Sequence, residues 1–292
     1  MYLFQLLING ISNGAVYAII AVGWALIFSI LKFSNLAHGG TMVCGAYIGL
    51  LFARLIGGNL LLVLIASALF SGILNMGVQL VAFHRLRKSS KQVLLYFVSS
   101  ITMGMLLQNL ISLKFSGVMY SYPKFFETRY INVGNLTFDV ADLVMLLIAA
   151  VIIGALVFIL HKTRLGIAVR ALSMDPGATS LMGINVDFVV MATFFLAGSL
   201  AGVAGVFVGI RTVLSPQLGS LFTVKSLMVS VVGGLGSLNG ALYAALLLGL
   251  VETGLTATIG SAMTPVGTFL FMLLFLIFRP QGIAGKFVVD KA

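Results

Sequence analysis

The chain has 292 residues, of which 60% are hydrophobic and 8% charged, and its mean hydropathy is +1.16. A soluble domain carries about 25% charged residues, so too few charges are present to cover a water-facing surface, and lipid is the solvent that fits. The formal net charge of +10 would point to nucleic acid in a soluble protein. Here the basic residues sit at the ends of apolar runs, where they set membrane topology, and no nucleic-acid partner is expected.

A spanning helix takes about 20 apolar residues. Stretches free of Asp, Glu, Lys and Arg run over 1–31, 33–53, 55–84, 92–113, 143–161, 188–210, 226–251 and 253–278. No Lys or Arg precedes Lys32, so the start lacks the basic region of a signal peptide and reads as a retained first span. The single cysteine, Cys44, excludes a disulfide framework or a paired-cysteine zinc motif within the chain and reads as a small packing residue.

Basic clusters choose the cytoplasmic side. They are Arg85, Arg87, Lys88 and Lys91 in HRLRKSSK, the segment 161–187, and the tail residues Arg279, Lys286 and Lys291. Runs 92–113 and 143–161 then lead out and back. Residues 114–142 are left outside, with Tyr120, Tyr122, Phe125, Phe126 and Tyr130. These aromatics suit a protein interface or a membrane-interface belt.

From Lys225 the chain must cross an odd number of times to finish inside. Residues 233–240, GGLGSLNG, supply the break, because glycine weakens helices and permits turns. The region divides into about 222–235, 241–258 and 263–278. The result is nine crossings, with the N-terminus outside and the C-terminus inside; eight spans with a re-entrant piece is the alternative. The fold expected is an all-α polytopic membrane protein of eight to nine transmembrane helices, some broken, forming one domain over 1–292. FSNLAHGG (33–40) and VVGGLGSLNG (231–240) echo each other as polar, glycine-bearing interruptions, as in the inverted repeats of transporters.

The polar insert HKTRLGIAVRALSMDPGATSLMGINVD (161–187) stands out in a chain otherwise almost free of charge. Asp175 followed by Pro176 starts a helix, as N-cap and first helical residue, and Gly183 suits the left-handed position after its end. That predicts a short helix over Pro176–Met182, with Ala178, Leu181 and Met182 on one face. A preceding helical piece carries Ile167, Ala168, Ala171 and Leu172 on one side, punctuated by Arg164 and Arg170. Two readings fit: a docking element for a soluble partner, or an interfacial loop that anchors the fold.

The run TRLGIAVRALSMDPGATSLMGINVDFVV resembles the cytoplasmic loop of ABC-importer permeases for branched-chain amino acids, the LivH-like family of inner-membrane proteins. NGISNGAVYAIIAVGWALIF (9–28), FSNLAHGGTMVCGAY (33–47) and KSLMVSVVGGLGSLNGALYAALLLGLVE (225–252) resemble further segments of that family. In 33–47, Ser34, Asn35 and Leu36 stand where the family has a plainer Asn-Phe. The resemblance runs from end to end. It implies a permease in a bacterial plasma (inner) membrane, working with a second permease, two ABC ATPase subunits and an extracellular or periplasmic substrate-binding protein. ATP and Mg would be held by the ATPases, and the cytoplasmic insert would be a coupling helix seated on one of them.

On that basis the residues expected to couple to the ATPase are Arg164, Gly166, Arg170, Asp175, Pro176, Leu181, Met182 and Gly183. Those expected in the translocation pathway or its hinges are Asn35, His38, Gly233, Gly234, Gly236, Ser237, Gly240 and Glu252. Each has a plainer reading. Asn35 and His38 would cap a broken helix, the glycines would allow close helix packing, and Glu252 would be a helix-end carboxylate facing water or a neighbouring helix. Asn9, Ser12, Asn13, Gln108 and Asn109 would line a path or bridge helices.

GGLGSLNG is no phosphate loop, which requires G-x-x-x-x-G-K-S/T; no Lys or Arg lies between Lys225 and Arg279. The chain is therefore expected to be neither an enzyme nor a holder of cofactor or metal, and to transport branched-chain or related amino acids by ATP-driven alternating access. A permease of the same family for urea, an amide or a sugar, or an ion-coupled secondary transporter, is the alternative.

Overall fold

In lipid every backbone N–H and C=O must be satisfied within its own segment, so apolar runs become helices. A computed structural model describes residues 2–56, 58–89, 93–126, 130–133 and 136–284. The helices are α1 (Tyr2–Leu31), α2 (His38–Ile56), α3 (Leu60–Val78), α4 (His84–Ser89), α5 (Val93–Phe115), α6 (Val140–Lys162), α7 (Arg164–Met174), α8 (Pro176–Leu181), α9 (Val186–Arg211), α10 (Leu218–Gly233), α11 (Leu238–Ile259) and α12 (Thr264–Phe278). A π-helical turn, Gln79–Phe83, joins α3 to α4, so one apolar helix runs over Leu60–Arg87. Among the described residues, seven helices are long and apolar enough to cross a membrane, and α10 and α12 are shorter apolar helices. The chain is a multi-pass helical membrane protein. The one non-helical element among the described residues is an antiparallel hairpin before α6, β1 (Tyr130–Val133) paired with β2 (Leu136–Asp139).

Polar residues fix the helix ends. The Asn59 side chain accepts from Leu61 N and Leu62 N at the start of α3, and Asp139 accepts from Ala141 N at the start of α6. Asn185 caps α9 by accepting from Phe188 N at 3.0 Å. Each bond satisfies a backbone donor that the first helical turn leaves open.

The core is built where small residues let helices approach. Gly198 and Gly202 of α9 lie against Ser67, Ser71 and Asn75 of α3. Ser67 Oγ donates to Gly45 O at 2.8 Å or to Gly202 O at 2.9 Å, tying α2, α3 and α9 together. Asn75 Nδ2 donates to Phe194 O at 2.7 Å. In the same way Gly10 and Gly14 of α1 face Leu250 and Leu246 of α11. A Cβ at Gly202 would stand 2.5 Å from Ser67 O and 2.6 Å from Ser71 Oγ. Gly202→Val should therefore destabilise the purified protein by about 1–3 kcal/mol, the usual cost of overpacking. Gly77→Ala, where a Cβ meets nothing within 4 Å, should leave the thermal transition unchanged. Equal melting of the two variants would contradict the seam.

These contacts describe an inverted repeat. α1 packs antiparallel on α11 as α9 packs antiparallel on α3, and α10 runs parallel to α1 as α2 runs parallel to α9. The units are α1–α2–α3–α5 and α9–α10–α11–α12. Two helices start inside the bundle. Residues 32–37 turn back so that His38 sits against Gly23 of α1, and residues 212–217 return so that α10 begins beside α2. The first turns of α2 and α10 cross with Gly39 against Gly219, where no side chain fits between the backbones. The repeat partner of 33–40 is thus the stretch entering α10, and not 231–240 as the composition of the two glycine segments implied.

Candidate translocation and coupling sites

The insert 161–187 is two short helices with its own caps. Thr163 Oγ1 accepts from Gly166 N at 3.3 Å to open α7. Asp175 Oδ1 accepts from Gly177 N at 2.7 Å and Ala178 N at 3.0 Å to open α8, with Pro176 in the first turn. Gly183 follows with φ +80°. The predicted helix therefore forms, ending at Leu181 instead of Met182. The buried face of α7 is Gly166, Val169 and Leu172; of the expected stripe, Leu172 is buried, Ala168 packs against the core, Ala171 is half-buried and Ile167 is exposed. Gly166 is pressed against the Leu160 backbone, and Ile167 beside it faces outward. Arg164 and Arg170 are exposed. So are Leu181 at 90% and Met182 at 82%, which leave the end of α8 an apolar tip, and Met174 at 87%, which precedes the Asp175 cap. Sequence reasoning missed Met174, although it immediately precedes the Asp-Pro cap.

Arg87 pairs with Asp187, so the basic cluster of α4 and the start of α9 meet at one end of the bundle. The side chain of Lys88, and all of Lys91, Lys286 and Lys291, lie outside the described residues. Arg279 Nη2 donates to Ile283 O at 3.3 Å. Ile283 N and Ala284 N donate to Val232 O and Gly233 O at 2.7 and 3.0 Å. The segment after α12 thus seals the turn between α10 and α11.

That turn contains the predicted hinge residues. Gly233 and Gly240 face each other backbone to backbone, and Ser237 Oγ accepts from Gly240 N to cap α11. Gly234 and Gly236 hold φ +98° and +80°, a left-handed conformation that only glycine adopts without strain. Gly236 lies by Phe28 and Ser29, near the end of α1. Asn35 and His38 sit deeper, both buried, at the return into α2. Asn35 Oδ1 accepts from Ala37 N at 3.1 Å. Gln108 of α5 lies against Gly219 and accepts from Ser220 at 2.9 Å.

Glu252 belongs to a charge network. Lys225 Nζ lies 2.6 Å from Glu252 Oε1 and donates to Tyr17 OH at 2.9 Å, and Tyr17 OH donates to Glu252 Oε2 at 2.7 Å. The ammonium also stands 5.0 Å from the centre of the Tyr17 ring. Next to this triad, Arg211 donates through Nε and Nη2 to Asp142 Oδ1, through Nη1 to Asn13 Oδ1 and through Nη2 to Ser12 Oγ, at 2.5–2.9 Å. Asn13 Nδ2 closes the network on Thr253 Oγ1 at 3.0 Å. Two opposite charge pairs, joined through α1, thus bind α6, α9, α10 and α11. Sequence reasoning missed Arg211, Lys225 and Asp142. The available signal was symmetry, since Lys225 and Glu252 lie equally far from residues 238–239 on either arm of the glycine turn.

The aromatic segment after α5 packs onto the bundle. Tyr120 exchanges backbone hydrogen bonds with Leu214, and its ring meets Tyr47, Phe115 and the Arg54 guanidinium. Tyr122 OH donates to Ala46 O at 2.5 Å, and burial raises its phenol pKa, so it remains a neutral donor. The Phe125 ring lies 5.9 Å from that of Tyr122, tilted by 40°. The side chain of Tyr130 lies outside the described residues.

Comparison with known proteins places this architecture. Residues 6–278 match the family described as the permease component of branched-chain amino acid transport systems. The high-affinity branched-chain amino acid permease LivH of Salmonella typhimurium is 29% identical, over 100% of this chain and 98% of its own length. BraD of Pseudomonas aeruginosa, with the same description, is 29% identical over 98% and 97%. Among solved structures, a chain of PsaBC from Streptococcus pneumoniae in complex with Fab shares the fold, with a TM-score of 0.52, 12% identity and coverage of 94% and 91%. The chain belongs to the family of permease components of branched-chain amino acid transport systems.

Proposed function

We propose that this chain is the membrane permease of an ATP-driven importer of branched-chain or related amino acids. It pairs with a second permease in a bacterial inner membrane, with two ATPases below and a substrate-binding protein outside. The amino acid enters a cavity between the two permeases, and closure of the ATPases moves the insert α7–α8, switching the cavity from outward- to inward-facing. Nine helices cross, with the N-terminus outside: the seven long ones and the shorter α10 and α12. In this reading α7–α8 is the coupling element, Asn35 and His38 border the pathway, and the turn Gly233–Gly240 is a hinge.

The observation that carries the coupling reading is the apolar tip of Leu181 and Met182 at the end of α8. It projects at the end of the bundle bearing Arg87 and Arg279, in a chain of this family. Positive charge marks that end as cytoplasmic, and exposed apolar side chains clustered on a capped helix fit a groove in a partner. Co-purification tests it. Tagged chain expressed with its neighbouring ATPase genes should carry both ATPases through size-exclusion chromatography. A lone homo-oligomer would overturn the reading.

A further inference from the structure

A groove of about 590 Å³ runs between α3, α6 and α9, apart from the sites above. On α6 it is lined by Val144, Ile148, Ile152, Ala155 and Ile159 among others, spaced by three or four so that they form one helical stripe. The stripe is exposed or half-buried, while α6 packs on α1 and α7. Among the described lining residues Ser199 alone has a polar side chain. A second hollow of about 280 Å³ shares Ile159 and Leu196 with the first and reaches Leu165 of α7 and Phe188 of α9. Along α9 the two extend over residues 188–203, about 22 Å of helix at 1.5 Å per residue. One leaflet of a bilayer contributes about 15 Å of hydrocarbon, so a fatty acyl chain fits along the groove, flanked by three helices.

The α7 end of the groove is basic. Lys162 follows Ile159 by three residues and so lies one turn further along the same face of α6. It is the only Lys or Arg in that helix. Arg164 immediately precedes Leu165. Both side chains are exposed, and neither pairs with a carboxylate among the described residues. At its other end α6 is capped by Asp139 and carries Asp142 in its first turn. An anionic headgroup on α6 therefore meets cations at the α7 end and carboxylates at the other. We propose that the groove is a binding site for one anionic phospholipid, with an acyl chain along the α6 stripe and the phosphate on Lys162 and Arg164. A lipid held there ties α6, the helix leading into the insert, to α3 and α9. The site does not depend on what the chain transports.

Native mass spectrometry tests it, on the purified full chain stripped of lipid in detergent and titrated with phosphatidylglycerol or phosphatidylethanolamine. Each cation beside an anionic headgroup contributes about fivefold in affinity, so phosphatidylglycerol should bind about thirtyfold more tightly than zwitterionic phosphatidylethanolamine. Lys162→Gln should weaken phosphatidylglycerol about fivefold and leave phosphatidylethanolamine unchanged. Arg170→Gln, which removes an exposed charge of α7 outside the lining, should change neither. Ala155→Trp should fill the groove and abolish binding of both lipids; Ala150→Trp, exposed on α6 outside the lining, should not. Lys162 is exposed, so its variant tests the site even where the tryptophan disturbs folding. Equal affinity for the two lipids overturns the anionic assignment. Equal losses in Lys162→Gln and Arg170→Gln reduce the preference to general surface charge and overturn the headgroup position. Binding that survives Ala155→Trp overturns the groove as the site. Phosphatidylglycerol that binds the chain alone and is absent from its complex with a second permease would make the groove a helix–helix interface and overturn the proposal.

Discussion

Lys225→Met should lower the stability of the purified protein by about 3–5 kcal/mol, the range for removing one partner of a buried ion pair. The substitution keeps the length of the side chain and removes the ammonium. Glu252 then keeps only the Tyr17 hydroxyl, and its carboxylate is left in a low-dielectric setting where an unpaired charge is costly. Both partners are mostly buried, with side chains 20% and 18% exposed, so solvent screening recovers little of the loss. Lys225→Met combined with Glu252→Leu should restore most of the stability, because replacing a whole pair by apolar groups is often neutral. Thermal unfolding in detergent reads both effects. A single variant as stable as the parent would mean that water reaches the pair and that it does not hold α10 to α11.

Leu181→Asp with Met182→Asp should cut uptake sharply while leaving insertion and melting unchanged. Both side chains stand in solvent, and Met182 caps α8 through its backbone N–H alone, so the exposed side chains contribute little to folding. At a partner surface the same side chains act as anchors. Losing one such anchor costs about 2 kcal/mol, which is roughly thirtyfold in affinity. Co-purified ATPase should fall accordingly, and the remaining ATP hydrolysis should no longer respond to loaded binding protein. Gly183→Pro should give the same phenotype by another route: φ +80° at Gly183 is closed to proline, which is fixed near −65°, so the tip is re-aimed. Substrate-stimulated hydrolysis that persists in both variants would remove the insert from the coupling path.

The helices were legible because lipid leaves the backbone few choices. The charge-free runs up to 188–210 each supplied one long helix, and the glycine break at 233–240 separated α10 from α11 as the topology required. Local capping chemistry was equally readable, since Asp175, Pro176 and Gly183 act within a few residues of chain. The orientation of α7 was not. Its apolar residues nearly encircle the helix, and Gly166, which no hydrophobic pattern singles out, is the residue pressed against the Leu160 backbone.

The charge network was the least visible part. Arg211, Lys225 and Asp142 served in the sequence only as ends of apolar runs, and their partners lie on other helices 27 to 208 residues away. The inverted repeat was hidden for a related reason. FSNLAHGG and the stretch entering α10 have few residues in common beyond Gly39 and Gly219, so a search for similar residues settled on the glycine turn instead.

The central claim is that ATP hydrolysis by partner subunits drives amino-acid import through this chain. The direct measurement is accumulation of labelled leucine in proteoliposomes containing the permease pair and its ATPases, with ATP inside and the loaded binding protein outside. The account predicts accumulation that needs both ATP and the binding protein and survives collapse of ion gradients. Accumulation that proceeds without ATP and stops when those gradients are collapsed would contradict it.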